Sequence, residues 1–126
     1  MLRTISAAGA AVAAVTALAL AVGAAAQPAM SPKLSGTVGP GFTISLKQAG
    51  AKVKTLKAGT YTFVISDKAA IHNFVLERES GSHFEKTLTT VAFTGTKSAT
   101  IKLTKGKWKY YCAPHGSTMK GFFTVT

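Results

Sequence analysis

From Leu34 onward, apolar and polar residues alternate in short runs separated by glycine and proline. Phe42-Thr43-Ile44-Ser45-Leu46 and Thr100-Ile101-Lys102-Leu103 keep a period of two, the pattern of strands with one face buried and one face wet. Tyr61-Thr62-Phe63-Val64-Ile65 is the strongest run, because β-branched and aromatic side chains suit a pleated surface. Further strands are expected over residues 34–38, 53–56, 71–76, 108–112 and 122–125, and residues 88–93 read as strand and turn. Gly39-Pro40-Gly41, Gln48-Ala49-Gly50, Lys57-Ala58-Gly59 and Lys105-Gly106 supply turn chemistry between them, and residues 77–84 form a polar loop or hairpin tip. No segment after the N-terminal region holds a helical period for three turns. Eight or so short strands with frequent turns predict an all-β sandwich or barrel.

The first 26 residues follow another pattern. Arg3 gives a basic start, residues 5–22 are rich in Ala, Val and Leu, and Ala24-Ala25-Ala26 offers a small-residue cleavage site before Gln27. That layout is a secretory signal peptide, so the mature chain is expected outside the cytoplasm, in a periplasm or beyond. Left uncleaved, the same run is long enough to anchor the chain in a membrane. With no cysteine near the cut, a lipid anchor there is excluded. Residues 27–33, with Pro28 and Pro32, read as a loose lead-in, and residues 34–126 as one domain with a single modest core.

Charge changes the picture next. Fifteen Lys and Arg face only Asp67, Glu77, Glu79 and Glu85, a formal net charge of +11. Such a field steers acidic partners and attracts anionic surfaces. The lysines are scattered over alternating strands, and export argues against nucleic acid as a partner. A weak contact with an anionic membrane or envelope polymer fits better. The expected state is a monomer.

The candidate chemistry lies near the C-terminus, where Cys112-Ala113-Pro114-His115-Gly116-Ser117-Thr118-Met119 carries the only cysteine. One cysteine in an exported chain has no internal disulfide partner, and a metal would occupy it. Thiolate, imidazole and thioether together suit copper, and a trigonal His2Cys set with a long axial Met is the blue-copper arrangement. The loop supplies three of those four ligands, so a second histidine is needed. His83 sits in the polar stretch Gly81-Ser82-His83-Phe84-Glu85 and reads as exposed. His72 sits in the apolar stretch of residues 70–76; alone it would read as a core histidine, but the set lacks one imidazole. The expected metal site is therefore His72, Cys112, His115 and Met119. Strand parity places Trp108, Tyr110 and Cys112 on one face and Lys107 and Lys109 on the other, which is compatible with a ligand and equally with a buried thiol.

His72-Asn73, the run Tyr111-Cys112-Ala113-Pro114-His115, Met119 and the final Gly121-Phe122-Phe123-Thr124-Val125 resemble the cupredoxins, above all the plastocyanin, pseudoazurin and amicyanin group. The resemblance implies an eight-stranded Greek-key β-sandwich with one type 1 copper at one end. It implies His72, Cys112 and His115 as equatorial ligands, Met119 as the axial one, and Asn73 as a brace across to the ligand loop. The His115 to Met119 spacing falls between the shorter amicyanin loop and the longer plastocyanin loop.

The functional expectation is an exported carrier of single electrons that cycles Cu(I) and Cu(II). The rival is an extracytoplasmic copper carrier or storage protein using the same ligands. An enzymatic role is not expected, since multicopper oxidases and nitrite reductases need further copper centres and this chain has three histidines. Phe42, Phe74 and Met119 are expected to line the sulfur, and Pro114 to remove one N–H donor beside it. His115 is expected to reach the surface inside a small rim of Ala113, Pro114 and Gly116, with Lys68 and Lys120 steering acidic redox partners.

Overall fold

A computed structural model describes residues 9–18 and 30–126. Residues 9–18 have no regular secondary structure and are exposed; the rest of the expected signal segment, and residues 27–29 of the lead-in, lie outside the described residues. Among the described residues no helix is long and apolar enough to cross a membrane.

The strands are β1 (Lys33–Val38), β2 (Ile44–Gln48), β3 (Ala51–Lys52), β4 (Thr55–Leu56), β5 (Gly59–Asp67), β6 (Phe74–Arg78), β7 (Phe84–Thr89), β8 (Gly95–Leu103), β9 (Gly106–Tyr111) and β10 (Lys120–Val125). They build two five-stranded sheets, ordered β3-β2-β1-β5-β8 and β4-β10-β9-β6-β7. β1 runs parallel to β5 and β4 parallel to β10; the other pairs are antiparallel. β3 and β4 have two residues each, so the strands of five or more residues are the expected eight.

Alternation decides what faces inward. In β5, Tyr61, Phe63 and Ile65 are buried while the residues between them are half-exposed. In β9, Trp108 and Tyr110 are buried, and Cys112 continues the same face. Leu34, Leu46 and Phe63 from the first sheet meet Phe74, Trp108, Tyr110 and Phe123 from the second in one core. Tyr110 stacks on Phe74 at 5.7 Å between ring centroids, and burial raises its pKa, partly offset by a backbone hydrogen bond from Leu46. Two glycines allow this closeness: a Cβ on Gly36 would strike Ile65 and the Phe74 ring, and one on Gly121 would strike the Tyr110 ring.

Three expectations shift. Residues 53–56 are not one strand, because the chain changes sheets there: β3 ends in the first sheet, β4 starts in the second, and Val53 plugs the core between them at 3% exposure. The strand expected from Phe42 starts at Ile44, since the Gly39 N–H donates to the Thr43 carbonyl at 2.9 Å and closes a loop that lifts Phe42 out of the ladder. The strand expected from Ile71 starts at Phe74. The His72 N–H donates to the Ala69 carbonyl at 3.2 Å, so Ile71, His72 and Asn73 belong to a turn-bearing loop. Residues 72–76 are all buried, so this segment enters between the sheets and shows no alternation.

Candidate metal centre

Three loops meet at one end of the sandwich: residues 39–43 after β1, residues 68–73 after β5, and residues 112–119 after β9. The last is pinned at its mouth, where the Cys112 N–H donates to the Met119 carbonyl at 3.0 Å. Inside it, Ala113–His115 form one 3-10 turn, with Pro114 at a position where a missing N–H costs nothing. The Cys112 carbonyl accepts from the His115 N–H at 3.1 Å, and the His115 carbonyl accepts from the Met119 N–H at 2.8 Å. These bonds turn His115 back toward Cys112 and bring Met119 beside the start of the loop.

Asn73 ties the second loop to the third. Its Oδ1 accepts from the Ala113 N–H at 2.7 Å, and the residue is 5% exposed. One position on, the Phe74 N–H donates to the buried Thr89 Oγ1 at 3.0 Å, which fixes the start of β6 against β7. His72 is thereby held in the interior at 0% exposure.

His72, Cys112 and His115 converge. The two Nδ1 atoms lie 3.0 Å apart, and Cys112 Sγ lies 3.7 Å from His72 Nδ1 and 3.6 Å from His115 Nδ1. A triangle with those sides has a centre roughly 2.0 Å from all three atoms, a metal–nitrogen bond length and slightly under the about 2.3 Å of a metal–thiolate bond. The three donor atoms thus face one common point, as the ligands of a single metal ion would. Among the described residues this is the one group of three or more His, Cys, Asp or Glu whose donor atoms gather in this way. Met119, at 1% exposure, lies where its carbonyl accepts from the Cys112 N–H, and its thioether is the candidate soft fourth donor. The donor chemistry fits a single type 1 copper.

Around the triangle, Cys112 is 0% exposed, while His115 is half-buried and flanked by exposed Ala113 and Pro114. Buried Phe74 and Met119 belong to the same apolar core as Cys112. Phe42 does not pack as expected: it is 63% exposed, and its ring stands edge-on to His72 at 5.2 Å and to His115 at 4.9 Å. The only sequence signal for this was a large aromatic directly after the turn Gly39-Pro40-Gly41, where the alternation predicts the start of a strand. His72 Nε2 is buried without a hydrogen-bond partner among the described residues, while its Nδ1 faces the triangle. His83 lies elsewhere, exposed beside Glu85. Lys68 and Lys120 are exposed at the same end as His115.

Residues 37–126 match the family described as copper binding proteins, plastocyanin/azurin family. No curated protein sequence matches the chain. Among solved structures, the copper protein rusticyanin aligns at a TM-score of 0.55 and 17% identity, over 75% of this chain and 76% of that one. Auracyanin A, a "blue" copper protein of Chloroflexus aurantiacus, aligns at 0.51 and 16%, over 75% and 98%. Reduced auracyanin of Roseiflexus castenholzii aligns at 0.53 and 17%, over 78% and 99%. At these identities the structures speak for the fold.

Proposed function

Since the chain belongs to the plastocyanin/azurin family of copper-binding proteins, the cupredoxins, we propose that it is an exported carrier of single electrons between redox partners. His72, Cys112 and His115 would hold the metal, with the Met119 thioether as a fourth, softer donor. Copper, once bound, supplies the Cu(I)/Cu(II) couple. The chain's residues do the rest. Two imidazoles and one thiolate satisfy Cu(II), and the two sulfurs suit Cu(I), so neither state demands a rebuilt site. Asn73 and the backbone bonds inside the loop hold the donors in place before and after the electron moves. The buried apolar cluster around Cys112 keeps water from the sulfur.

The observation that carries this reading is the approach of three donor atoms to within bonding distance of one point, in loops braced to each other. His115, the less buried imidazole, is the exit for the electron, and its exposed surroundings at Ala113 and Pro114 form a small contact surface. Export follows from residues 1–26 acting as a signal peptide.

Voltammetry of the copper-loaded protein distinguishes this role from copper transport or storage with the same ligands. An electron carrier gives a reversible one-electron wave and keeps its metal in both states. A colourless Cu(I) form that passes its metal to a moderate chelator within minutes would assign the protein to copper delivery instead.

A further inference from the structure

The charge on this sandwich is sorted. Of the four acids, Asp67 is buried, and Glu77, Glu79 and Glu85 all belong to β6, β7 and the turn between them, in the second sheet. The outer face of the first sheet carries none. Register places its side chains: Ser35 pairs with Lys47 and Lys47 with Lys52, Lys33 pairs with Thr62, and Thr60 pairs with Lys102. Paired residues share a face, so Lys33, Lys47, Lys52 and Lys102 lie together on the outside, all exposed. Their neighbours there are small hydroxyl residues such as Ser35, Thr62 and Thr100, with no carboxylate to neutralise them.

The four lysines also lie at one end. β1 runs from Lys33 to the loop that carries Phe42 onto the histidines, so Lys33 marks the end away from the metal centre. Lys47 is next to last in β2, which runs the other way, and Lys102 is next to last in β8, where it pairs close to the start of β5. The chain enters the domain at this same end. At that point the Thr62 N–H donates to the Pro32 carbonyl at 2.9 Å.

We propose that this lysine face, at the end away from the metal centre, docks on an anionic lipid bilayer and so holds the His115 end outward toward redox partners. Headgroup phosphates meet four ammonium groups, and the hydroxyl residues between them leave the face flat and free of repelling charge. A bilayer surface offers many phosphates in one plane, which ammonium groups spread across the sheet β3-β2-β1-β5-β8 meet together.

The test uses the full chain reconstituted in nanodiscs of phosphatidylglycerol or of phosphatidylcholine, with lysine acylation read by mass spectrometry. Lys33, Lys47, Lys52 and Lys102 should label several-fold more slowly in the anionic discs, while Lys68 and Lys120 label alike in both. The protection should vanish in 1 M salt, where the screening length falls to about 3 Å. The variant K33Q/K47Q/K52Q/K102Q should remove protection from the nearby Lys57 and Lys105 while its copper spectrum stays unchanged. Equal labelling of the four lysines in both lipids, or protection of Lys68 and Lys120 in their place, overturns the proposal. So does protection that ignores lipid and grows with protein concentration, which would give the face to a second copy of the chain. The lysine footprint needs no copper, so its failure and that of the electron-carrier reading are separate.

Discussion

Asn73→Ala is the sharpest local probe of the braced loop. The substitution removes the acceptor of the 2.7 Å bond from the Ala113 N–H, at a residue 5% exposed. The lost bond costs about 1 kcal/mol, and a partly buried N–H left without a partner costs about 1 kcal/mol more, giving about 2 kcal/mol in all. Ala113 is exposed on its other side, so water recovers part of the second amount and keeps the sum from rising further. For a domain of this size, about 2 kcal/mol lowers the melting temperature by roughly 8–16 °C. The assay is thermal and denaturant unfolding of the metal-free protein, because a ligand that binds only the folded state masks the loss. The copper-loaded variant should also release its metal faster, since the loop carrying Cys112 and His115 has lost its tie to the loop carrying His72. A stability change under about 0.5 kcal/mol, well below the net worth of a typical hydrogen bond, would refute the claim that this bond holds the two loops together.

Other outcomes follow from the same geometry. Gly121→Ala forces a methyl group into the Tyr110 ring, which stacked Phe74 and Phe123 keep from moving, and should cost about 1–3 kcal/mol by denaturant unfolding. Tyr111 has its pKa pushed up to about 12, first by burial and then by the Glu85 carboxylate that accepts its hydroxyl proton at 2.9 Å. Ultraviolet titration should therefore place its ionisation well above that of a free phenol, and Glu85→Gln should bring it back toward 10. The sign for stability is set by the unfolded chain, which gives up this proton first: the contribution is complete below pH 10 and fades as pH rises toward 12. Electron transfer to an acidic partner should slow as salt rises, through exposed Lys68 and Lys120 at the same end as His115; a rate indifferent to ionic strength would count against that steering.

Much of this was legible in the chain before its fold was known, for reasons specific to each segment. A period of two exposes strands whose faces see different surroundings, so β5 and β9 could be read directly, Cys112 and its inward face included. The candidate donor types were legible because a lone cysteine three residues from a histidine and seven from a methionine is rare chemistry in one loop. The segment around His72 was misread as strand because burial on every side hides alternation, and a turn closed by the Ala69 carbonyl leaves no mark in composition. Residues 53–56 were misread because crossing between sheets is a tertiary event, and Val53 looks the same in a ladder or as a plug. The contact of Phe42 with both imidazoles joins residues 30 and 73 positions apart in the chain, a distance over which no local pattern reports.

The central claim is that His72, Cys112 and His115 share one copper ion. Titration of Cu(II) into the metal-free protein, followed by its visible spectrum, tests it most directly. The account predicts an intense blue colour that saturates at one copper per chain and is abolished by Cys112→Ser and by His72→Ala, both checked to be folded by circular dichroism. A pale, weakly bound Cu(II) spectrum, or a blue colour that survives the loss of Cys112, would contradict it.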